Sequence, residues 1–474
     1  MADVERTPIQ LDRPRSVHLV GVGGAGISAI AVILAEMGHR VSGVDVNETS
    51  AWPSLLAAGV DPGVSARDDL FDLTAHPGVE VVAHSTAFPP SPEARAAAAA
   101  VDVAVTDRAG ILSSICAARP SVAVSGTHGK TSTTAMLATL LDGVGADPSY
   151  LVGAVPVGLG RAAHWGGASG TFVAEADESD GSFVALGAAT AVVTNVEEDH
   201  LDHWVTIDAI EAAFDTFLAQ AETRIVCIDR PGGDGTADPR VLGLARRHHA
   251  VTVGEAPESR YRIHDVTVSR LTTTFGLEVD GREVGPVEIG TPGRHHARNA
   301  ATTVATAVTL GVDPSDAVAA LATYRGVSRR FEVVGEAGGV TVVDDYAHNP
   351  GKVGALVASA KEAGWGRVLV IFQPHRYTRT RDQGDDLGRA LGLADLVAVT
   401  EVYGAGEDAI PGVSGQGLVD VARRAGTAEV SWTPTLDDAV AWALAEARPD
   451  DLVLTVGAGD VHTVARRVLA GLSR

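Results

Sequence analysis

Hydrophobic positions in this chain fall into short runs, set between glycine turns and amphipathic stretches. SVHLVGV (16–22) reads as a buried strand, followed by a glycine turn and a helical run over 27–37 that Gly38 closes. VSGVD (41–45) reads as the next strand, which makes a βαβ opening. VEVVAHS (79–85) and VDVAVTD (101–107) continue the pattern, so a first α/β domain is expected over 1–117. SVAVSG (121–126) starts the pattern again, and TFVAEAD, TAVVTNV and RIVCID repeat it. A second parallel-sheet domain is therefore expected over 118–325. Residues 262–290 alternate apolar and polar side chains around Asp280-Gly281, which predicts an antiparallel patch inside it. VTVVDDY, RVLVIFQ, DLVAVTE and DLVLTVG mark a third unit over 326–474. The fold class expected is α/β in three domains. The first and last are Rossmann-like, and the central one is a P-loop-ATPase-like parallel sheet carrying the antiparallel patch.

Bulk properties narrow the function. A chain of 474 residues is too long for one core. A net charge of −23 disfavours nucleic acid and anionic membrane surfaces as partners. The two cysteines, Cys116 and Cys227, lack metal-type spacing, and the N-terminus has no apolar signal core. No stretch reaches membrane-spanning length, so no membrane insertion and a cytoplasmic location are expected. Monomer and dimer both remain open. Only three lysines exist, Lys130, Lys352 and Lys361, so each has few substitutes.

The chemistry concentrates at strand ends. Gly126-Thr127-His128-Gly129-Lys130-Thr131-Ser132 joins a strand to a helix. Small residues let backbone N–H groups curl around phosphate oxygens, and the helix dipole adds to the attraction. Lys130 suits β/γ-phosphate charge, and the Thr131 hydroxyl suits a divalent cation. Val124 stands where the common P-loop has its first glycine, so the match is partial. EADESD (175–180) and TNVEEDHLD (194–202) follow two further strands. Strand ends of one polarity share one crevice in such sheets, so both acidic clusters belong beside the phosphate loop. Carboxylates, an imidazole and a hydroxyl beside a triphosphate describe a divalent metal site. Gly21-Val-Gly-Gly-Ala-Gly26, with Asp45 ending the next strand, has the form of a dinucleotide fingerprint. Taken alone it supports an NAD-dependent oxidoreductase.

The segments GTHGKTST, EADESD, TNVEEDHLD, PGRHHARNA, GVSRRFE, DDYAHNP, FQPHRYTRT and VGAGD occur in the order seen in the Mur ligases, and the resemblance covers nearly the whole chain. The run is most similar to the branch that adds L-alanine to UDP-N-acetylmuramate. The resemblance implies ATP as co-substrate, with Gly126, Thr127, His128, Gly129, Lys130, Thr131, Ser132, His295, Asn299, Arg330 and Asp345 around it. It implies Mg²⁺, with Mn²⁺ as an alternative, on Thr131, Glu175 and His200. The glycine loop then becomes a diphosphate cradle for the sugar nucleotide, through Gly21, Gly23, Gly24, Gly26, Asp45 and Ser85, with Ser28 as a further hydroxyl. Tyr346, His348, His375, Arg376 and Arg379 would grip the incoming amino acid, an arginine fork suiting its carboxylate. Lys130, His200, His348, Arg376 and Arg379 are the expected catalytic groups. Some relatives bridge two metals with a carbamylated lysine. Lys130 is the only lysine of the central domain and serves the phosphates, which excludes that bridge.

The reaction implied is attack of the sugar's carboxylate on the γ-phosphate, then of the amine on the acyl phosphate. His200, His348 or a carboxylate would take the ammonium proton. Water must be kept out, so hinges are expected near 117–121 and 325–328. Asn349 stands where the alanine-adding branch has a second histidine, and His296 and Arg298 put charge near the adenine contact. Glycine, serine or a preformed peptide therefore stay open as acceptors, as does a silent regulatory paralogue. The oxidoreductase alternative leaves GTHGKT, EADESD and FQPHRYTRT without a purpose.

Overall fold

A computed structural model of the chain describes residues 8–167, 170–230, 235–425 and 429–473. Residues 1–7, part of the N-terminus read above as lacking a signal core, lie outside them. Among the described residues no helix is long and apolar enough to cross a membrane.

Three sheets form. The first is parallel throughout, in the order Asp61–Val64, Arg40–Asp45, Ser16–Val20, Val81–His84, Ala104–Asp107. The strand order reverses between Ser16–Val20 and Val81–His84, where such sheets open a ligand crevice. The expected helix runs over Ala25–Glu36, and Ile27, Ile30, Ala31, Ile33 and Leu34 make its buried stripe. The last strand begins three residues later than expected. Val101 caps the helix Pro92–Ala100 and is 64% exposed, so it belongs to the turn. Asp61–Val64 escaped the sequence pattern because it is an edge strand holding Pro62 and Gly63.

Among the described residues the central sheet has ten strands. Ser121–Ser125 lies parallel between Thr190–Val193 and Phe172–Glu175. Thr223–Cys227, Val251–Gly254 and Tyr261–Val268 extend one side, and Ser149–Leu151 and Ala163–His164 the other. The antiparallel patch consists of Tyr261–Val268, Thr273–Val279 and Arg282–Ile289. Its tight turn has φ of +50° at Asp280 and +75° at Gly281, as a two-residue type I′ hairpin needs.

The third sheet runs Glu332–Ala337, Val340–Asp345, Leu452–Val456, Val368–Phe372, Leu396–Val399, Glu429–Trp432. Only the first pair is antiparallel. Its four inner strands are buried and apolar and were legible. The two edge strands, which are only partly buried and carry glutamates, were not.

By packing, the chain forms two units. One takes the residues up to Asp265 with Gly276–Val287 and Arg298–Tyr324; the other takes Val266–Phe275, Glu288–Ala297 and the chain from Arg325 on. The first and central sheets share a unit because one apolar cluster runs through both. Ile111, Leu112 and Ile115 belong to the same cluster as Phe183, Leu186 and Phe214. Phe183 lies 5.0 and 5.2 Å, ring to ring, from Phe214 and Phe217. Residues 117–121 thus run inside a packed unit, while the unit boundary after Tyr324 falls beside the second expected hinge.

Candidate active site

The buried strand Ser121–Ser125 ends at Gly126, and the helix Lys130–Gly143 begins four residues later. The connection bends through φ of +137° at Gly126 and +83° at Gly129, conformations that favour glycine. Crowding makes the same demand. A Cβ on Gly126 would sit 2.0 Å from Thr194 Oγ1, and one on Gly129 would sit 2.6 Å from Asn299 Oδ1. The missing side chain at Gly129 is what lets Asn299 reach the loop. The loop is tied to the segment after Thr190–Val193. His128 N–H donates to Asn195 Oδ1 at 2.9 Å, Asn195 Nδ2 donates to the His128 carbonyl at 3.0 Å, and Glu197 N–H donates to the Thr127 hydroxyl at 2.9 Å. The Thr127 hydroxyl is therefore occupied by the fold, while Ser132 is buried in the first turn of the helix.

Lys130 lies back over its own loop. Its ammonium is 2.8 Å from the Gly126 carbonyl and 2.5 Å from Glu178 Oε2. The two side chains form an ion pair that is largely buried. Glu178 is 2% exposed, and burial pushes its carboxyl above the usual range against the pull of Lys130. Glu175 accepts from the Thr131 hydroxyl at 2.8 Å and from Gly153 N–H at 2.7 Å. Two of the three expected metal ligands, Thr131 and Glu175, thus meet directly. The third, His200, has φ +50° and brings Nε2 to 3.9 Å from Glu178 Oε1. Hydroxyl, carboxylate and imidazole donors with oxygen predominating fit Mg²⁺ or Mn²⁺. Sequence reasoning passed over Glu178. Four carboxylates follow one strand, and spacing does not say which one the loop turns inward.

Beside this cluster a cleft of about 790 Å³ opens between the first and central sheets. Gly23, Gly26 and Ser28 line one wall; Gly153, Arg161, Glu175 and Asp177 line the other. Gly21 packs under Ser85, whose hydroxyl accepts from Ala87 N–H at 3.3 Å, and Gly24 takes up the N-cap of the helix Ala25–Glu36. Asp45 serves the loop itself. It is 7% exposed and accepts from Gly23 N–H at 2.9 Å and Val46 N–H at 2.7 Å, so it holds the glycine loop in shape. Arg108 is a cation the sequence reading missed. It begins the helix Arg108–Ala117, lines the cleft, lies against Gly26, and is 3.7 Å from Asp180. A single arginine outside any motif carries no signal until the fold brings it to the glycine loop.

In the second unit, Asp345 ends Val340–Asp345 and accepts from Phe331 N–H at 2.8 Å and Ala347 N–H at 2.7 Å, pinning the GVSRRFE segment. Arg330 lies over the Tyr346 ring at 5.3 Å. The Tyr346 carbonyl is 2.8 Å from His348 Nδ1, which must therefore carry the proton and leave Nε2 as an acceptor. Burial first, and then Arg379, Lys352 and His375, bring the His348 pKa down to about 4, so the ring is neutral at pH 7. His375 lies 5.9 Å from His348, ring to ring, and Arg379 Nη1 is 3.2 Å from His375 Nδ1. Arg376 caps the helix Tyr377–Leu391 with φ +72°. The five residues expected to grip an amino acid thus form one cluster.

Comparison with known proteins agrees with this geometry. Residues 16–120 match the Mur ligase family catalytic domain, 124–307 the Mur ligase middle domain, and 329–459 the Mur ligase glutamate ligase domain. The chain belongs to the Mur ligase family. Among similar Mur ligases, the UDP-N-acetylmuramate–L-alanine ligase of Sorangium cellulosum is 40% identical, with 97% of each chain covered. That of Acidothermus cellulolyticus is 41% identical over 98% of this chain and 97% of its own. The solved UDP-N-acetylmuramate–alanine ligase of Thermotoga maritima has a TM-score of 0.77 at 27% identity, covering 96% of this chain and 98% of its own. A murein peptide ligase of Psychrobacter arcticus shares the fold, with a TM-score of 0.63 at 22% identity over 97% of this chain and 99% of its own.

The structure also accounts for the departures from the Mur ligase pattern. Asn349 is the N-cap of the helix Pro350–Glu362, where its Oδ1 accepts from Lys352 N–H at 2.9 Å. Asparagine suits that position for its own reasons. His296 is 7% exposed, and burial with neighbouring His295 at 4.1 Å pushes its pKa well down, so it is uncharged. Arg298 is held between Asp229 at 2.8 Å and Glu255 at 3.0 Å, its charge matched inside the fold.

Proposed function

We propose that this chain joins L-alanine to the lactyl carboxylate of UDP-N-acetylmuramate in peptidoglycan synthesis, with ATP converted to ADP and phosphate through an acyl phosphate. The carrying observation is Glu175, which touches Thr131 of the phosphate loop and also lines the 790 Å³ cleft. A sugar carboxylate held in that cleft borders the triphosphate it must attack. Relatives bearing the alanine-ligase name at about 40% identity over almost the full chain support the choice of substrates.

Gly126 to Ser132 would hold the triphosphate, and Lys130 would leave Glu178 to neutralise it. Asn299, His295, Arg330 and Asp345 would serve the remainder of the nucleotide. The diphosphate of the sugar nucleotide would lie along Gly21 to Gly26, with Arg108 as counter-charge. Thr131, Glu175 and His200 would hold Mg²⁺, which supplies positive charge beside the phosphates when bound. Arg376 and Arg379 would take the alanine carboxylate, and the free Nε2 of neutral His348 would accept a hydrogen bond from its amino group. Transfer is then largely positioning and electrostatics. The divisions 1–117, 118–325 and 326–474 would correspond to sugar-nucleotide, ATP and amino-acid domains, working in the cytoplasm.

Phosphate release from ATP with Mg²⁺ and UDP-N-acetylmuramate tests this directly, with L-alanine, glycine, L-serine, a tripeptide or no acceptor. Release that depends on L-alanine is expected. Release only with another acceptor would move the specificity while keeping the ligase, and no release with any acceptor would overturn the reading.

A further inference from the structure

The amino-acid cluster contains one ring that no motif marks. Tyr346, His348 and His375 form a row, with 5.2 Å between the first two rings and 5.9 Å between the second and third. Tyr403 extends it: its ring stacks on His375 at 5.7 Å with only 13° between the planes. Arg376 and Arg379 flank the row, one by the helix cap and one by its contact to His375. Tyr403 is 39% exposed, so part of its surface is open to a ligand.

Its position is rigidly specified. Tyr403 N–H donates to the Pro374 carbonyl at 2.8 Å, and Arg376 N–H donates to the Tyr403 carbonyl at 2.8 Å. These bonds form an isolated parallel bridge between His375 and Tyr403. On the other side the ring lies so close to Gly459 that a Cβ there would be 2.7 Å from its Cγ. Four residues on, Glu407 accepts from Thr378 N–H at 3.0 Å and from its hydroxyl at 2.7 Å, fastening the loop to the arginine helix. The main chain that carries the ring is thus fixed beside Arg376 and Arg379, and the stacking on His375 and the close approach of Gly459 set where the ring lies.

We propose that Tyr403 is a specificity-determining residue, the wall that limits the side chain of the incoming α-amino acid to a methyl group. This rests on the amino-acid role proposed for the cluster. The guanidinium groups recognise what all α-amino acids share, the carboxylate, and cannot discriminate among them. Discrimination must come from a fixed surface where the side chain points. A rigid ring does this by excluding volume, and one methylene in such a pocket is worth about tenfold or more in kcat/KM.

The test compares L-alanine with L-2-aminobutyrate and L-valine by steady-state kinetics in the full chain. Tyr403→Ala should raise the kcat/KM ratio of L-2-aminobutyrate to L-alanine by about tenfold or more, with the KM values for ATP and UDP-N-acetylmuramate unmoved. Tyr403→Phe keeps the ring and should leave the ratio within about twofold, since excluded volume sets discrimination. If the alanine variant does not fold, Tyr403→Val carries the same expectation. An equal loss with all acceptors would make Tyr403 a brace for His375 and overturn the proposal. So would Tyr403→Phe relaxing the choice as much as Tyr403→Ala. A wild-type chain inactive with L-alanine would instead defeat the underlying functional reading.

Discussion

His18 lies in the middle of the strand Ser16–Val20, 1% exposed, with Nδ1 2.9 Å from Ser42 Oγ and its ring 3.9 Å from that of His76. Burial, then His76, lowers its pKa from 6.5 to about 4. The unfolded chain therefore binds a proton that the folded chain refuses. Stability from this group is complete above pH 6.5 and declines as pH falls from 6.5 towards 4, by on the order of 3 kcal/mol in all. Urea unfolding of the first unit at pH 5 and pH 7 should show the decline, and His18→Gln should flatten it. An unchanged slope in the variant would sink the idea. Other single residues teach how far a motif reaches. EADESD announces a carboxylate site, but Glu175 and Glu178 take different partners, Thr131 and Lys130, which only the loop geometry assigns.

Among elements, the helix Pro350–Glu362 shows how one position can serve the helix itself. Asn349, which in the sequence left the choice of acceptor open, is a helix cap, with Pro350 in the first turn behind it. Asn349→Ala should cost about 1 kcal/mol in the unfolding of the second unit, leaving acceptor choice unchanged. Asn349→His should keep L-alanine as the preferred acceptor. A shift towards glycine or serine in either variant, measured by phosphate release, would return the position to the specificity site. Inner strands were legible because burial on both faces demands continuous apolar runs. Edge strands such as Asp61–Val64 and Glu332–Ala337 bury less, so their composition carries no such mark.

In the molecule as a whole, the first and central sheets are joined by more than apolar contact. Glu36, the last residue of the helix Ala25–Glu36, reaches the central sheet. It accepts from Arg161 Nη1 at 3.0 Å and from Trp165 N–H at 2.6 Å, and lies 3.2 Å from His164 Nδ1. The Arg119 guanidinium covers Trp165 at 3.6 Å. Because Glu36 also lines the cleft, this junction sets the spacing of its two walls. Glu36→Ala should cost about 1 kcal/mol and raise the KM for UDP-N-acetylmuramate several-fold, with the KM for ATP unchanged. Equal changes in both constants would show a general loosening instead.

What the sequence determined alone is what local spacing can express. Three α/β repeats follow from apolar runs and glycine turns, and phosphate chemistry follows from small residues, a lysine and a threonine between a strand and a helix. Tertiary structure decided which of several equivalent groups face one another. It turned Asp45 inward, brought Arg108 to the glycine loop, set Glu178 on Lys130 and stacked Tyr403 on His375. Those pairings join residues from separate elements, and their energies depend on distance and burial, quantities that sequence spacing does not contain.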